Sequence, residues 1–363
     1  MSAEDRAWEV VRRAYEDTPP RRRRGGNRLL LASVAAALAA ATAAVLSPPG
    51  RAVFQHVREA IGVAPAEPAL FSLPSPGRLL VVSADHGGVW LVHDDGFKRR
   101  IGGYDDAQWS PHGRFLVAGR GNELVALDED GDVHWTLTRR EVLWPRWEGT
   151  DTDTRIAYLS RSGLRVVAGD GTGDHLLDRY AADVPPAWDP TRLHTVAYYS
   201  GGAIVLRDAD SGRVLRRTPI QVLPSSLVWS EDGRYLAVVS AHRIVLLGKE
   251  RSALSFTHSV IDAAFRPGSH ALAVTVRTGD RSQVELVDVD ARYAAKLLFA
   301  GPGAFGDIAW SPNGEWLLVT WPTADQWVFI HGSRVRAVAN IEEQFARRDR
   351  LGPLLELGGR WSR

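Results

Sequence analysis

A motif recurs about every forty residues: a bulky apolar residue, a turn rich in Pro, Gly and Asp, then an apolar run. The clearest copies run from Trp109 (Trp-Ser-Pro-His-Gly-Arg-Phe-Leu-Val-Ala), from Trp229 (Trp-Ser-Glu-Asp-Gly-Arg-Tyr-Leu-Ala-Val) and from Trp310 (Trp-Ser-Pro-Asn-Gly-Glu-Trp-Leu-Leu-Val). A fixed period of this size means that one supersecondary unit is repeated and stacked, which restricts the fold before any local propensity does. It leaves the chemistry open.

Taking the bulky residue as an anchor, units start at Leu73, Trp109, Trp147, Trp188, Trp229, Phe265 and Trp310. Each divides into four short strands, in the second unit Asp105–Trp109, Arg114–Gly119, Glu123–Asp128 and Val133–Thr138. In the anchor turn, Pro presets φ and Gly supplies a positive one. The next strand is apolar on both faces, as in 235–239 (Tyr-Leu-Ala-Val-Val) and 271–276 (Ala-Leu-Ala-Val-Thr-Val). Such runs belong to sheets covered on both sides. A sheet wedged between two neighbours in a ring meets that need, and a one-sided antiparallel sheet does not. The expected fold is all-β, a seven-bladed β-propeller over 69–340, with six blades the alternative if Leu73 is not an anchor.

The segment Trp/Phe-Ser-Pro-x-Gly-Arg-x-Leu-Ala resembles the repeat of bacterial TolB-type and WD-repeat-like β-propellers. The resemblance implies that it forms the innermost strand, its turn and the second strand of a blade. The Gly-His opening of WD repeats is absent, and their closing Trp-Asp is reduced to Leu127-Asp128, Arg207-Asp208 and Val287-Asp288. Partners known for WD-repeat hubs therefore do not carry over. The tract 126–135 also resembles the repeat of quinoprotein-like propellers, which we read as blade geometry.

Ahead of the repeats, residues 1–28 carry eight arginines against five acids, including the run Arg21–Arg24. Leu29–Leu46 follows, with Ser33 and Thr42 its only polar members. A helix of that length spans roughly 27 Å, close to the roughly 30 Å hydrocarbon core of a bilayer. Arginines before the segment and none within it predict a single transmembrane helix with a cytoplasmic N-terminus and everything after Ser47 outside. A cleaved signal peptide ending at Ala41-Thr42-Ala43 is the competing reading. Residues 1–17 are predicted to form a short helix carrying Trp8, Val11 and Tyr15 on one face. Residues 47–68 read as an amphipathic stalk and linker, and 341–363 as a C-terminal tail that could instead complete the ring by pairing with the first unit.

Net charge is +1, so bulk electrostatics offers no case for nucleic acid as a partner. The chain has no cysteine, which excludes disulfides, thiolate metal ligands and a cysteine nucleophile. We find no H-E-x-x-H helix and no G-x-S-x-G elbow, and no cofactor or metal site is expected. His86 and His93 share a hairpin without a ligand set. The acid-rich stretches 128–132, 151–153 and 170–174 lack the spacing of a calcium loop and read as hairpin turns.

One constellation stands out. Three residues before the anchor, the inner strands carry Asp106, Asp262 and Asp307, facing opposite to the anchor and toward the channel by strand alternation. They are expected either to hold a cation or basic group or to cap backbone amides at the channel mouth, the capping role being preferred. Trp144 holds the same register beside Arg146, where it would stack a ring ligand or pack. The function expected is a membrane-anchored, extracytoplasmic, non-catalytic binding or scaffolding module with a protein partner in the cell envelope. Alternatives are a transmembrane sensor or anti-sigma-like protein, and a propeller hydrolase or lactonase using channel carboxylates.

Overall fold

The computed structural model describes residues 66–83, 88–249, 251–291 and 293–345, and the backbone of 357–362. These belong to the unit Val63–Arg363. The basic tail, the apolar segment 29–46, most of the stalk and His86 lie outside the described residues. Among those described, no helix is long and apolar enough to cross a membrane.

Seven four-stranded antiparallel sheets make up the fold, and the inner strands of successive sheets touch one another. It is an all-β, seven-bladed propeller. In the second blade the strands are Asp106–Trp109, Phe115–Arg120, Glu123–Asp128 and Val133–Thr138, within a residue of expectation. Alternate residues of a strand enter different cores, as two-sided burial requires. Leu116 and Ala118 join Leu80, Leu91 and Trp109 against the first blade, while Val117 joins Trp147, Ile156 and Tyr158 against the third.

The Trp-Ser-x-x-Gly turn has a specific cause. Ser110, Ser230 and Ser311 are at most 7% exposed, and their Oγ atoms accept the backbone N–H of Phe115, Tyr235 and Trp316 at 3.0, 3.0 and 2.9 Å. Gly113, Gly233 and Gly314 adopt φ of 65°, 68° and 67°, the left-handed region that glycine enters at least cost. The anchor rings then bridge blades. Nε1 of Trp188, Trp229 and Trp310 donates to the carbonyls of Arg146, Ala187 and Ala264 at 2.8, 3.4 and 3.2 Å, each carbonyl belonging to the inner strand of the preceding blade.

The first blade departs from the expected anchor at Leu73 and from the boundary at 340, and takes the alternative in which the C-terminal segment pairs with the first unit. Its inner strand is Leu357–Ser362 from the C-terminus, paired antiparallel with Arg78–Ser83. Leu79 lies opposite Trp361, just as Leu116 lies opposite Trp109 and Leu317 opposite Trp310. Trp361 thus holds the seventh anchor register. Leu73 sits in the lead-in to the blade, its N–H bonded to Asp94 O at 2.8 Å, and is buried beside Trp327 and Phe345. The blade count stands at seven, but the ring extends past 340, and 357–362 are a strand of it. The physical reason is closure: joining the ends of the chain within one sheet leaves no open edge between first and last blades.

Candidate functional site: the central cavity

The inner strands enclose a cavity of about 1100 Å³ on the ring axis. Asp106, Trp144, Asp262 and Asp307, the four residues singled out in the sequence, all line it. So do Pro185 and Ser226, which hold the same register in the fourth and fifth blades. Carboxylates therefore occupy this level on the sixth, seventh and second blades, and neutral side chains occupy it on the third to fifth.

Two of the carboxylates act between blades. Asp106 Oδ1 accepts its neighbour Ala107 N–H at 2.9 Å, and Oδ2 accepts Arg146 Nη1 from the third blade at 2.8 Å. Asp262 repeats the arrangement: Oδ1 takes Ala263 N–H at 2.8 Å, and Oδ2 takes Ile308 N–H from the seventh blade at 3.0 Å. The amide-capping role holds for both, with a link to the next blade added. Asp307 is exposed, and its carbonyl accepts Thr320 N–H at 3.1 Å.

Trp144 differs from a channel-facing platform. It lies in a bulge between Leu143 and Arg146 and has φ of 46°. The bulge breaks strict alternation, and the ring packs against the core shared by the third and fourth blades, which includes Leu159, Leu164 and Tyr198. Packing is its main role, although one edge reaches the cavity.

Sequence reasoning overlooked Glu148, which also lines the cavity. It follows anchor Trp147 where other repeats place the turn serine, and that departure was the available signal. Its side chain is 12% exposed, and Oε1 accepts His194 N–H at 3.0 Å. Burial pushes the Glu148 carboxyl up to about 7, against the opposing pull of the His194 imidazole and N–H. Behind it, His194 Nδ1 lies 2.8 Å from Asp210 Oδ2. His194 Nε2 is buried without a hydrogen bond, 3.8 Å from Glu148 Oε1 and 3.5 Å from Asp153 Oδ1. Arg155 closes the cluster, donating to Asp210 Oδ1 at 2.8 Å and Asp153 Oδ1 at 2.6 Å. His194 has φ of 57°, a conformation uncommon for a residue with a Cβ.

The acid-rich turns are structural. Asp128 Oδ1 accepts the N–H of Asp130 and of Asp132, each at 3.0 Å, and Asp170 Oδ1 accepts Thr172 N–H at 2.9 Å. Asp174 is 5% exposed at its side chain, held by Arg139, Arg165 and the Tyr158 hydroxyl. No group of three or more acidic or histidine side chains among the described residues is arranged to hold a metal ion.

No protein-family model and no curated protein sequence matches this chain. Among solved structures, it is similar to two proteins provisionally called 6-phosphogluconolactonases. The one from Bacteroides uniformis ATCC 8492 gives a TM-score of 0.53 at 12% identity, over 73% of this chain and 98% of that one. The one from Bacteroides fragilis NCTC 9343 gives 0.53 at 12%, over 73% and 96%. A functionally unknown protein from Desulfotomaculum acetoxidans DSM 771 gives 0.54 at 13%, over 73% and 95%. At such identities the likeness is one of fold.

Proposed function

We propose that this chain is a membrane-tethered, extracytoplasmic binding module without catalytic activity, whose central cavity receives a basic segment of a cell-envelope protein. The charge of the cavity carries the reading. Besides Glu148, whose carboxyl is pushed up to about 7, the carboxylates of Asp105, Asp106, Asp189, Asp262 and Asp307 line it, against the single guanidinium of Arg146, which Asp106 binds. A concave site lined by one sign of charge focuses its field and concentrates the opposite charge. The volume, about 1100 Å³, is just above the roughly 300–1,000 Å³ typical of small-molecule sites and suits a length of chain. N–H donors fix the carboxylates of Asp106 and Asp262 at the cavity wall. The arginine-flanked apolar segment 29–46 supports the tether.

The test is crosslinking of the full chain in its native membrane, comparing wild type with the Asp262→Asn/Asp307→Asn double variant. Recovery of one envelope protein through a basic segment, lost in the double variant, is the expected result. An unchanged crosslinking pattern would overturn the reading.

A hydrolytic reading has one observation in its favour. Glu148 combines a carboxyl raised to about 7 with a place on the cavity wall, which suits a general base near neutral pH. The fold likeness to proteins provisionally called lactonases points the same way. Lactone hydrolysis by the purified chain, abolished in Glu148→Gln, would replace the binding reading.

A further inference from the structure

A second cleft, of about 740 Å³, opens between the fourth and fifth blades. Its charge is the reverse of the central cavity's. The fourth blade contributes Arg192 and Arg216, and the fifth contributes Arg234 and Lys249. All four are exposed, and none makes a salt bridge among the described residues. Asp189 is the one acid on the lining, and its Oδ1 already accepts the N–H groups of Thr191 and Arg192 at 2.9 and 3.1 Å.

Arg234 lies over the Tyr235 ring, 5.6 Å from its centroid, while Arg192, Arg216 and Lys249 bring further positive charge to the same cleft; an anion bound there relieves the repulsion between them. Guanidinium groups suit phosphate and sulfate oxygens because their N–H forks bind two oxygens at once. The walls also carry Tyr235 and Tyr293. Tyr235 is fixed by its hydroxyl, which donates to Asp290 Oδ1 at 2.9 Å, by the edge-on ring of His270 at 5.0 Å and by the Arg234 guanidinium at 5.6 Å, so a ligand ring would stack on the exposed Arg234 guanidinium or on Tyr293. The size lies within the roughly 300–1,000 Å³ range of small-molecule sites. The cations come from two blades around one cleft, whereas a long acidic polymer calls for a stripe along one face.

We infer that this inter-blade cleft binds a small phosphate or sulfate ester of a ring compound, the anion held by Arg192, Arg216, Arg234 and Lys249 and the ring stacked on the Arg234 guanidinium or on Tyr293. The inference is independent of what occupies the central cavity.

Adenosine 5′-monophosphate, inorganic phosphate and uncharged adenosine serve as probes, titrated calorimetrically into the full chain. The double variant Arg216→Gln/Lys249→Gln alters exposed side chains only. Arg334→Gln, exposed on the seventh blade, controls for general charge. The expected result is that the nucleotide binds, that phosphate competes and adenosine does not, and that the double variant weakens binding at least tenfold while the control leaves it unchanged. No nucleotide binding at millimolar concentration, equal weakening by the control, or binding of an acidic peptide in preference to the nucleotide would each overturn the inference.

Discussion

Asp262 reaches across a blade boundary: its Oδ2 accepts the backbone N–H of Ile308 at 3.0 Å, while its Oδ1 caps Ala263 at 2.8 Å. One side chain thus satisfies two inner-strand amides of adjacent blades. Asp262→Ala leaves both without this acceptor and should cost about 1–3 kcal/mol. Asp262→Asn keeps one acceptor oxygen and should cost less. Chemical denaturation of the pair checks the order.

The half-buried anchor ring of Trp310 reaches the sixth blade, donating to Ala264 O at 3.2 Å and lying 5.5 Å from the Arg266 guanidinium. Phe265 fills the same register in the sixth blade with no N–H to offer. Trp310→Phe should therefore cost little beyond the hydrogen bond, about 1 kcal/mol. Trp310→Ala should cost more, about 2–3 kcal/mol, because the half-buried ring surface is lost as well. Equal losses in the two variants would refute a packing role for the ring.

Removal of 357–363 tests ring closure. Val81 and its neighbours in Arg78–Ser83 would lose their inner partner, leaving a buried apolar strand as an open edge, which favours aggregation. The truncated chain should lose its single cooperative thermal transition and form oligomers by light scattering. A monomer with an unchanged melting temperature would contradict the closure.

Asp174 makes stability sensitive to acid. Burial by itself would raise its pKa, but hydrogen bonds from Arg165, Tyr158 and Arg139 outweigh that and hold it below the ordinary 3.8. A depressed carboxyl contributes stability above its unfolded pKa and loses it as pH falls through the folded value. Wild type should accordingly weaken below about pH 4 more steeply than Asp174→Asn does. At neutral pH, Asp174→Ala should cost about 3–5 kcal/mol, because two guanidinium groups lose their partner.

Glu148 has the opposite sign. In the folded chain its carboxyl holds a proton to about pH 7, against an ordinary value of 4.5. The folded state binds more protons in that interval, so this group's contribution to stability is full below 4.5 and declines as pH rises to 7. The contribution lost is of order 3 kcal/mol. Glu148→Gln should flatten this dependence between pH 5 and 7 in urea titrations.

Period, two-sided apolar strands and the Trp-Ser-x-x-Gly turn were sufficient to specify a ring of blades, because each reflects a local need: a wedge buried on two faces, a buried serine hydroxyl, a left-handed glycine. The register of Asp106, Asp262 and Asp307 was legible for the same reason, since strand alternation carries a side chain to the channel whatever the rest of the chain does. Trp361-Ser362 also repeats the opening of the anchor motif, yet its strand closes the first blade. That the tail could pair with the first unit was open from the sequence, but its strand and register were not, because pairing over nearly the whole length of the chain leaves no local pattern. Glu148 and His194 meet across two blades, and the cations at 192, 216, 234 and 249 converge on one cleft. Only tertiary packing decided those meetings, because burial and electrostatic proximity arise when separate blades are pressed together, while the sequence by itself records only what each strand and turn requires.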